Sequence, residues 1–225
     1  MAVLFLTPGW FFTYSIGLEF LFGIITLLVA VYAFKIYKLS EEKQLRTFGI
    51  GFLLISLSYF ILGIVNLLIA VGFDDDVSRF MGLKAVYLFN LFGSYFHALI
   101  YILGLVFLTY STLKIDNNRV LALLTAICVV SVYFSPYKVF MFYLLSTVLL
   151  LFTVIYYFMN YLKSRRSNTF IVLVAMIFLL FGTMHLIFAV EHALYYVLGH
   201  VLEAIAYVLI LISLLRIVKH GKEKR

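Results

Sequence analysis

The chain has 225 residues, of which 65% are apolar and 12% charged, and its mean hydropathy is +1.14. This composition supplies too little polar surface for a water-soluble domain of this size, so that class is excluded. The net charge of +7 and the pI of 9.4 fit nucleic-acid binding in principle. No zinc-finger or recognition-helix pattern accompanies them, so no nucleic-acid partner is predicted.

Seven apolar segments follow one another along the chain, separated by short connections. Apolar runs of about 18 or more residues are typical of transmembrane helices. The fourth segment is the shortest, and too little chain is left over for a soluble domain. We therefore predict that residues 1–225 form one all-α domain, a polytopic bundle of seven transmembrane helices. The predicted spans are about 11–36, 48–72, 86–111, 120–136, 139–161, 169–190 and 197–218.

Basic residues are distributed unequally between the two sides of these spans. With the N-terminus outside, 14 of the 17 Lys and Arg fall in the inner loops, span ends and tail, and three fall outside. This bias predicts a multi-pass protein of the cell membrane with a cytoplasmic C-terminus. The inner set is Lys35, Lys38, Lys43, Arg46, Lys114, Arg119, Lys163, Arg165, Arg166, Arg216, Lys219, Lys222, Lys224 and Arg225, and the outer set is Arg79, Lys84 and Lys138.

The basic C-terminal tail, "RIVKHGKEKR", ends the sequence on the predicted cytoplasmic side. Basic segments next to a transmembrane helix attract anionic lipid head groups. We expect the tail to contact membrane lipids. Together with the inner loops it is also the predicted docking surface for a cytoplasmic or membrane protein partner.

Polar side chains recur at helical spacing in every predicted span except the fourth. Residues three, four or seven apart lie on one face of a helix. Because lipid offers polar atoms no hydrogen-bond partner, these stripes are predicted to face the bundle interior. In chain order they carry Ser15, Glu19, Tyr59, Asn66, Asn90, Ser94, His97, Tyr101, Ser146, His185, His200, Glu203 and Tyr207.

The depth of the ionisable residues predicts a pocket that opens to the outside. At about 1.5 Å per residue, His200 lies roughly 5 Å and Glu203 roughly 9–12 Å below the outer end, and His97 lies near the midplane. Intramembrane Glu and His are functional candidates by default. The predicted ligands are His97, His185, His200 and Glu203, with Glu19, Asn66, Asn90, Ser94, Tyr207, Glu191 and His192 around them; Glu191 and His192 stand at the mouth.

Three interpretations of this pocket remain open. His and carboxylate ligands suit a transition metal (Zn, Cu or Fe), and His200 and Glu203 at i, i+3 can reach one ion. Two axial histidines would instead suit a b-type haem. In the second interpretation the groups bind a small polar ligand or carry a proton. In the third they only hold the helices together.

Binding or sensing is the function that the sequence favours. The alternatives are a metal-dependent membrane enzyme with Glu203 as base, a proton-coupled transporter, and a structural subunit of a membrane complex. The sequence carries no catalytic-serine motif, no phosphate-binding glycine loop and no lysine in the interior of the seventh span for a retinal Schiff base. No span is broken by Gly or Pro at mid-depth, as transporter sites often require.

Two segments resemble parts of a known class of membrane domain. They are "LEFLFGIITLLVAVYAFKIYKLSEEKQLRTFGIGFLLISLSYFILG" and "GHVLEAIAYVLILISLLRIVK". The first is similar to the opening helix pair, and the second to the closing helix, of seven-helix membrane-associated sensor-type domains of archaea and bacteria. The resemblance implies a sensor, and such domains are fused to cytoplasmic output modules. Here a signal would pass to a separate partner.

Overall fold

The computed structural model of the chain describes residues 8–72, 83–113, 115, 117–189 and 192–223, and every regular element in them is an α-helix. Each predicted span overlaps one of these helices, so the all-α prediction is confirmed for the described residues. The helices are α1 Phe12–Ser40, α2 Lys43–Gly72, α3 Leu83–Leu113, α4 Asn118–Phe134, α5 Lys138–Ser164, α6 Ser167–Phe188 and α7 Ala193–Glu223.

Six of the helices are long and apolar enough to cross a membrane, and α4 is the shorter one. Its 17 residues correspond to about 25 Å, against a hydrocarbon thickness of about 30 Å. Both of its ends are set locally. The Asn117 side chain accepts a hydrogen bond from the Arg119 N–H at 2.9 Å, and Ser135 is extended because Pro136 follows it.

Two tight reversals connect α1 to α2 and α5 to α6. Glu41 and Arg165, the residues after α1 and α5, adopt the left-handed conformation with φ of 57° and 51°. Their N–H groups donate to the carbonyls of Tyr37 and Tyr161, both at 2.8 Å, which ends each helix. The next helix begins two residues later, so each pair forms an antiparallel hairpin.

The six long helices form a closed ring in the order α1, α2, α3, α5, α6, α7, and α7 returns to α1. The short helix α4 packs against α3 and α5. We call the end of the ring where α1, α3, α5 and α7 begin the proximal end, and the opposite end the distal end. Phe11, just before α1, meets Tyr196 near the start of α7, as this arrangement requires.

Glycine pairs allow two of the helix crossings to be very close. A Cβ on Gly51 of α2 would lie 2.9 Å from the Gly104 carbonyl oxygen of α3. A Cβ on Gly182 of α6 would lie 3.0 Å from the Gly199 carbonyl oxygen of α7. Small residues at such contacts are characteristic of packed helices in membranes, where van der Waals contact replaces the hydrophobic effect as the driving force.

The two halves of the bundle interior differ in polarity. Among the described Asp, Glu and His residues, three are buried, namely Glu19, His200 and Glu203. All three lie in the proximal half. The distal half is filled mainly by apolar side chains, with buried Ser and Thr hydroxyls at Thr109, Thr112 and Ser213 among them. Its apolar core includes Val29, Ala30, Ala33, Phe52, Leu105, Val106 and Ile210.

Candidate intramembrane ligand site

Glu203 lies on the inner face of α7 and is 3% exposed. The Tyr59 hydroxyl of α2 donates to its Oε2 atom at 3.2 Å. Gly182 of α6 makes room for it, because a Cβ there would lie 3.1 Å from Glu203 Cγ. Thus a buried carboxyl group from α7 meets α6 on one side and reaches across the ring to α2 on the other.

Three tyrosines at mid-helix extend this contact into a network. The Tyr207 hydroxyl lies 3.1 Å from that of Tyr59 and 3.4 Å from that of Tyr101. All three residues are at most 4% exposed. The network therefore joins α2, α3 and α7. We call Tyr59, Tyr101, Glu203 and Tyr207 the tyrosine–glutamate cluster.

Two of the predicted ligands, His97 and His200, border this cluster. The His97 ring packs against Tyr59 and Tyr101 at centroid distances of 5.6 and 5.7 Å. The His200 ring lies 6.1 Å from Phe22, which in turn packs on Tyr59 at 5.2 Å. The structure thus brings His97, His200 and Glu203 into one region of the interior, as their stripes predicted.

Backbone carbonyls fix the tautomer of both rings. His97 Nδ1 lies 3.0 Å from the Ser58 oxygen, and His200 Nδ1 lies 3.0 Å from the Tyr196 oxygen. A carbonyl oxygen can only accept, so each Nδ1 carries the hydrogen and each Nε2 of a neutral ring is an acceptor. In each neutral ring the acceptor nitrogen is therefore Nε2.

An apolar cap, consisting of Phe11, Leu186, Ala189 and Tyr196, covers His200 at the proximal end. The Phe11 ring stands edge-on to Tyr196 and His200 at 6.0 and 6.2 Å and is 6% exposed. The sequence predicted a pocket that opens at this end. In this conformation the cap lies over the position of that mouth, and His200 is 6% exposed.

A turn before α1 positions Phe11. Its N–H donates to the Pro8 carbonyl at 2.8 Å, and its own carbonyl accepts from Ser15 N–H at 2.8 Å. The ring is thereby directed inward at the start of the helix. Phe11 begins the first predicted span, and sequence reasoning gave it no role over the predicted ligands.

The predicted secondary residues Glu19 and Asn66 form a second buried polar contact. Glu19 is fully buried, and both of its carboxyl oxygens lie near Asn66 Nδ2, at 2.8 and 2.9 Å. On α3, the Ser94 hydroxyl donates to Asn90 Oδ1 at 3.2 Å. Glu19 thus has its own amide partner on α2, and this pair is separate in its hydrogen bonds from the tyrosine–glutamate cluster.

His185 makes different contacts from the other two histidines. Its Nδ1 lies 2.7 Å from the Phe181 oxygen, and its ring packs on Tyr195 at 5.8 Å. It is Gly182, one turn earlier, that faces Glu203. His192 is exposed and lies 6.0 Å from the same tyrosine. Glu191, predicted at the mouth, lies outside the described residues.

Ser146 of α5 carries a buried hydroxyl with no hydrogen-bond partner among the described residues. Serine in a membrane helix usually bonds to a carbonyl of the preceding turn, and unsatisfied buried hydroxyls are rare. One turn before it, Phe142 contacts both His97 and Tyr101, at 5.9 and 5.6 Å. The hydroxyl is therefore a spare hydrogen-bonding group on the face of α5 that adjoins the cluster.

The described side chains do not assemble a metal centre. No group of three or more His, Cys, Asp or Glu with suitable geometry occurs among them. The predicted metal and haem interpretations therefore gain no support from this arrangement. The side chains instead present a carboxyl group, two imidazole acceptors and several hydroxyls, a set suited to a ligand with hydrogen-bond donors.

Sequence reasoning gave Tyr59 and Tyr101 no role in the site, although both lie on predicted polar stripes. Tyr59 lies seven residues before Asn66, and Tyr101 lies four residues after His97, so each shares a helix face with a predicted site residue. This spacing was the sequence signal that could have identified them. Phe11, Phe22 and Ser146 complete the surroundings of the cluster.

No protein-family model, curated protein or solved structure matches this chain. The resemblance to sensor-type domains therefore stays a prediction.

Proposed function

We propose that this chain is a membrane protein that binds, and thereby senses, a small molecule with hydrogen-bond donors at the tyrosine–glutamate cluster. Glu203 carries the proposal. Its carboxyl group is 3% exposed, the one hydrogen bond described for it comes from Tyr59, and no Lys or Arg is buried among the described residues. A buried carboxyl group is costly unless it is protonated or lies beside donors or a cation. A ligand with N–H groups would supply donors to this carboxyl group, and a protonated amine would also supply a cation.

The two histidines support the same ligand chemistry. With Nδ1 of His97 and His200 engaged by carbonyls, their Nε2 atoms can each accept one hydrogen bond from a ligand. The hydroxyl of Ser146 adds a group that can donate or accept. Intramembrane polar groups of this kind occur mainly where a substrate, ion or ligand is bound.

The uneven polarity of the core favours binding over transport. A transporter site must be reached from both sides of the membrane in turn. Here the buried carboxyl and imidazole groups lie in the proximal half. The distal half of the core holds uncharged Ser and Thr hydroxyls that lie within hydrogen-bond distance of carbonyl oxygens or of each other. A site served from one side fits a receptor or sensor.

The charge distribution supplies the orientation in this proposal. If the chain crosses a cell membrane seven times, the 14 predicted inner basic residues favour the proximal end outside and the distal end in the cytoplasm. Ligand would then arrive from outside. The resulting change would be read by a cytoplasmic or membrane protein at the inner loops and the basic tail.

Structural support is the competing role. The network is also consistent with that role, because its hydroxyl contacts join three helices.

The test compares wild type with Glu203→Gln and His200→Ala. Native mass spectrometry, elemental analysis and absorption spectra of the purified proteins report any bound molecule, and thermal unfolding reports stability. We expect a bound or added small molecule that stabilises wild type only. If all three proteins contain the same amount of bound molecule and the variants differ only in a lower unfolding temperature, the cluster is structural.

A further inference from the structure

The hydrogen bonds of the tyrosine–glutamate cluster have one possible direction when Glu203 is ionised. A carboxylate oxygen can only accept, so Tyr59 uses its single hydroxyl hydrogen on Glu203 Oε2, at 3.2 Å. The Tyr59 oxygen must then accept from Tyr207, at 3.1 Å. Because Tyr207 donates its only hydrogen there, its oxygen accepts from Tyr101 at 3.4 Å. The chain thus runs from Tyr101 to Glu203, and all three hydrogens point toward the carboxylate.

Protonation of Glu203 on Oε2 permits the opposite direction. The carboxyl group then has an O–H of its own and can donate it to Tyr59. Tyr59 can turn its hydrogen to Tyr207, and Tyr207 can turn its hydrogen to Tyr101. The added proton comes from solvent, each tyrosine keeps its own hydrogen, and only rotations about the C–O bonds are needed. In the reversed chain Tyr101 donates to a group outside the cluster.

Acceptors for this hydrogen occur on side chains around Tyr101. The His97 ring packs on Tyr101 at 5.7 Å, and its Nε2 is an acceptor because Nδ1 is engaged by the Ser58 oxygen. Phe142 of α5 packs on Tyr101 at 5.6 Å. One turn farther along α5, the buried hydroxyl of Ser146 has no partner among the described residues. The surroundings of Tyr101 therefore include polar atoms that the chain does not already use.

The charge of an ionised Glu203 is not balanced by a basic side chain. No Lys or Arg is buried among the described residues. On α6, Gly182 faces Glu203, whereas His185 packs on Tyr195. A buried charge without an opposite charge is costly, and uptake of a proton neutralises it. The titratable groups in the interior around Glu203, on α1, α2, α3, α5 and α7, are Glu19, Tyr59, His97, Tyr101, Tyr143, His200 and Tyr207.

We infer that Glu203 is a proton-binding site and that the hydroxyl chain transmits its protonation state to α2 and α3. The ligand in this case is H⁺. Gain of the proton reverses the chain and redirects the Tyr101 hydroxyl, and loss of the proton restores the original direction. The inference shares the site of the proposed function but does not depend on its small molecule.

The hydroxyl of Tyr101 provides the measurement. The protein is labelled with carbon-13 at tyrosine Cζ, whose chemical shift responds to hydrogen bonding of the hydroxyl, and is placed in phosphatidylcholine nanodiscs. Tyr101→Phe assigns the resonance, which is followed from acidic to mildly alkaline pH. In wild type we expect it to shift with pH. The shift should be lost in Glu203→Gln, which cannot ionise, and in Tyr207→Phe, which keeps Glu203 but interrupts the chain.

Two matched controls should retain the shift. Glu19→Gln removes the other buried carboxyl group, and Tyr143→Phe removes a nearby hydroxyl with no described bond to the chain. A Tyr101 resonance that is independent of pH in wild type, or that still shifts in Glu203→Gln or Tyr207→Phe, would overturn the inference. Loss of the shift in Glu19→Gln would overturn it as well, by assigning the proton to Glu19. If Tyr207→Phe does not fold, Glu203→Gln decides alone.

This titration contains no added small molecule, whereas the proposed function is tested by a bound one. The two can therefore fail separately. A wild type that carries or is stabilised by a small molecule, but whose Tyr101 resonance ignores pH, would keep the proposed function and remove the proton response.

Discussion

The Tyr59 hydroxyl on α2 donates a hydrogen bond to the Glu203 carboxyl group on α7 over 3.2 Å, although these helices are not neighbours in the ring. The contact crosses the interior of the bundle. Through Tyr207 it continues to Tyr101 on α3. The contacts of Glu203 thus connect α7 with α2 and α3. In the proposed sensing role, a ligand at Glu203 would act on all three helices.

Removing the Tyr59 hydroxyl tests this contact. Tyr59→Phe should lower the free energy of unfolding by about 1 kcal/mol, the scale of polar contacts between membrane helices. In a double-mutant cycle with Glu203→Leu, which removes the acceptor of this hydrogen bond, the coupling energy should be about 0.5–2 kcal/mol. Tyr101→Phe is the matched control, because its described bond is the 3.4 Å contact with Tyr207 and not with Glu203. Unfolding in detergent measures all four variants, and strictly additive effects would contradict the pairing.

The Glu19–Asn66 pair can be tested by removing first one partner and then both. Asn66→Leu leaves a fully buried carboxyl group without its amide donor, which should cost about 1–3 kcal/mol. Replacing both residues by Leu removes the unsatisfied group and should recover much of that loss. Thermal unfolding of the single and double variants decides the matter. If the double variant is as unstable as Asn66→Leu, the unsatisfied Glu19 carboxyl group is not the cause of the destabilisation.

Composition and periodicity predict most of this fold, for physical reasons that individual residues illustrate. Apolar runs locate the helices because lipid requires every backbone group to be bonded within its own segment. Pro136 marks the end of α4 because the residue before a proline avoids helical geometry. Glu203 and His200 are buried as their stripe predicts, since neither has a partner in lipid.

The partners of these residues could not be read from periodicity. Tyr59 reaches Glu203 only because of the ring order and the relative heights of α2 and α7, which no single helix specifies. The contrast between Gly182 and His185 has a similar origin. Residues three apart differ by about 60° around a helix axis, so one can face Glu203 while the other packs on Tyr195.

The close crossing of α6 and α7 predicts a position-dependent cost for alanine. Gly182→Ala would place a Cβ 3.0 Å from the Gly199 carbonyl oxygen and 3.1 Å from Glu203 Cγ. The helices must then move apart, and we expect a loss of about 1–3 kcal/mol. Gly17→Ala is the control, because its Cβ meets open space and alanine is the better helix former by about 1 kcal/mol. Equal destabilisation by both substitutions in thermal unfolding would contradict the crossing geometry.

The orientation of the bundle decides from which side a ligand arrives, and single cysteines can establish it. Cys128, the only cysteine, is 5% exposed and is replaced by Ala first. Asp75→Cys, in a connection outside the described residues, should react with a membrane-impermeant maleimide on intact cells, because the distribution of basic residues predicts that this connection is outside. Ser164→Cys, at the exposed end of α5, should react only after permeabilisation. The reverse pattern would put the proximal end, with the apolar cap and Glu203 beneath it, on the cytoplasmic side, and the proposed extracellular ligand would be wrong even if the site itself were right.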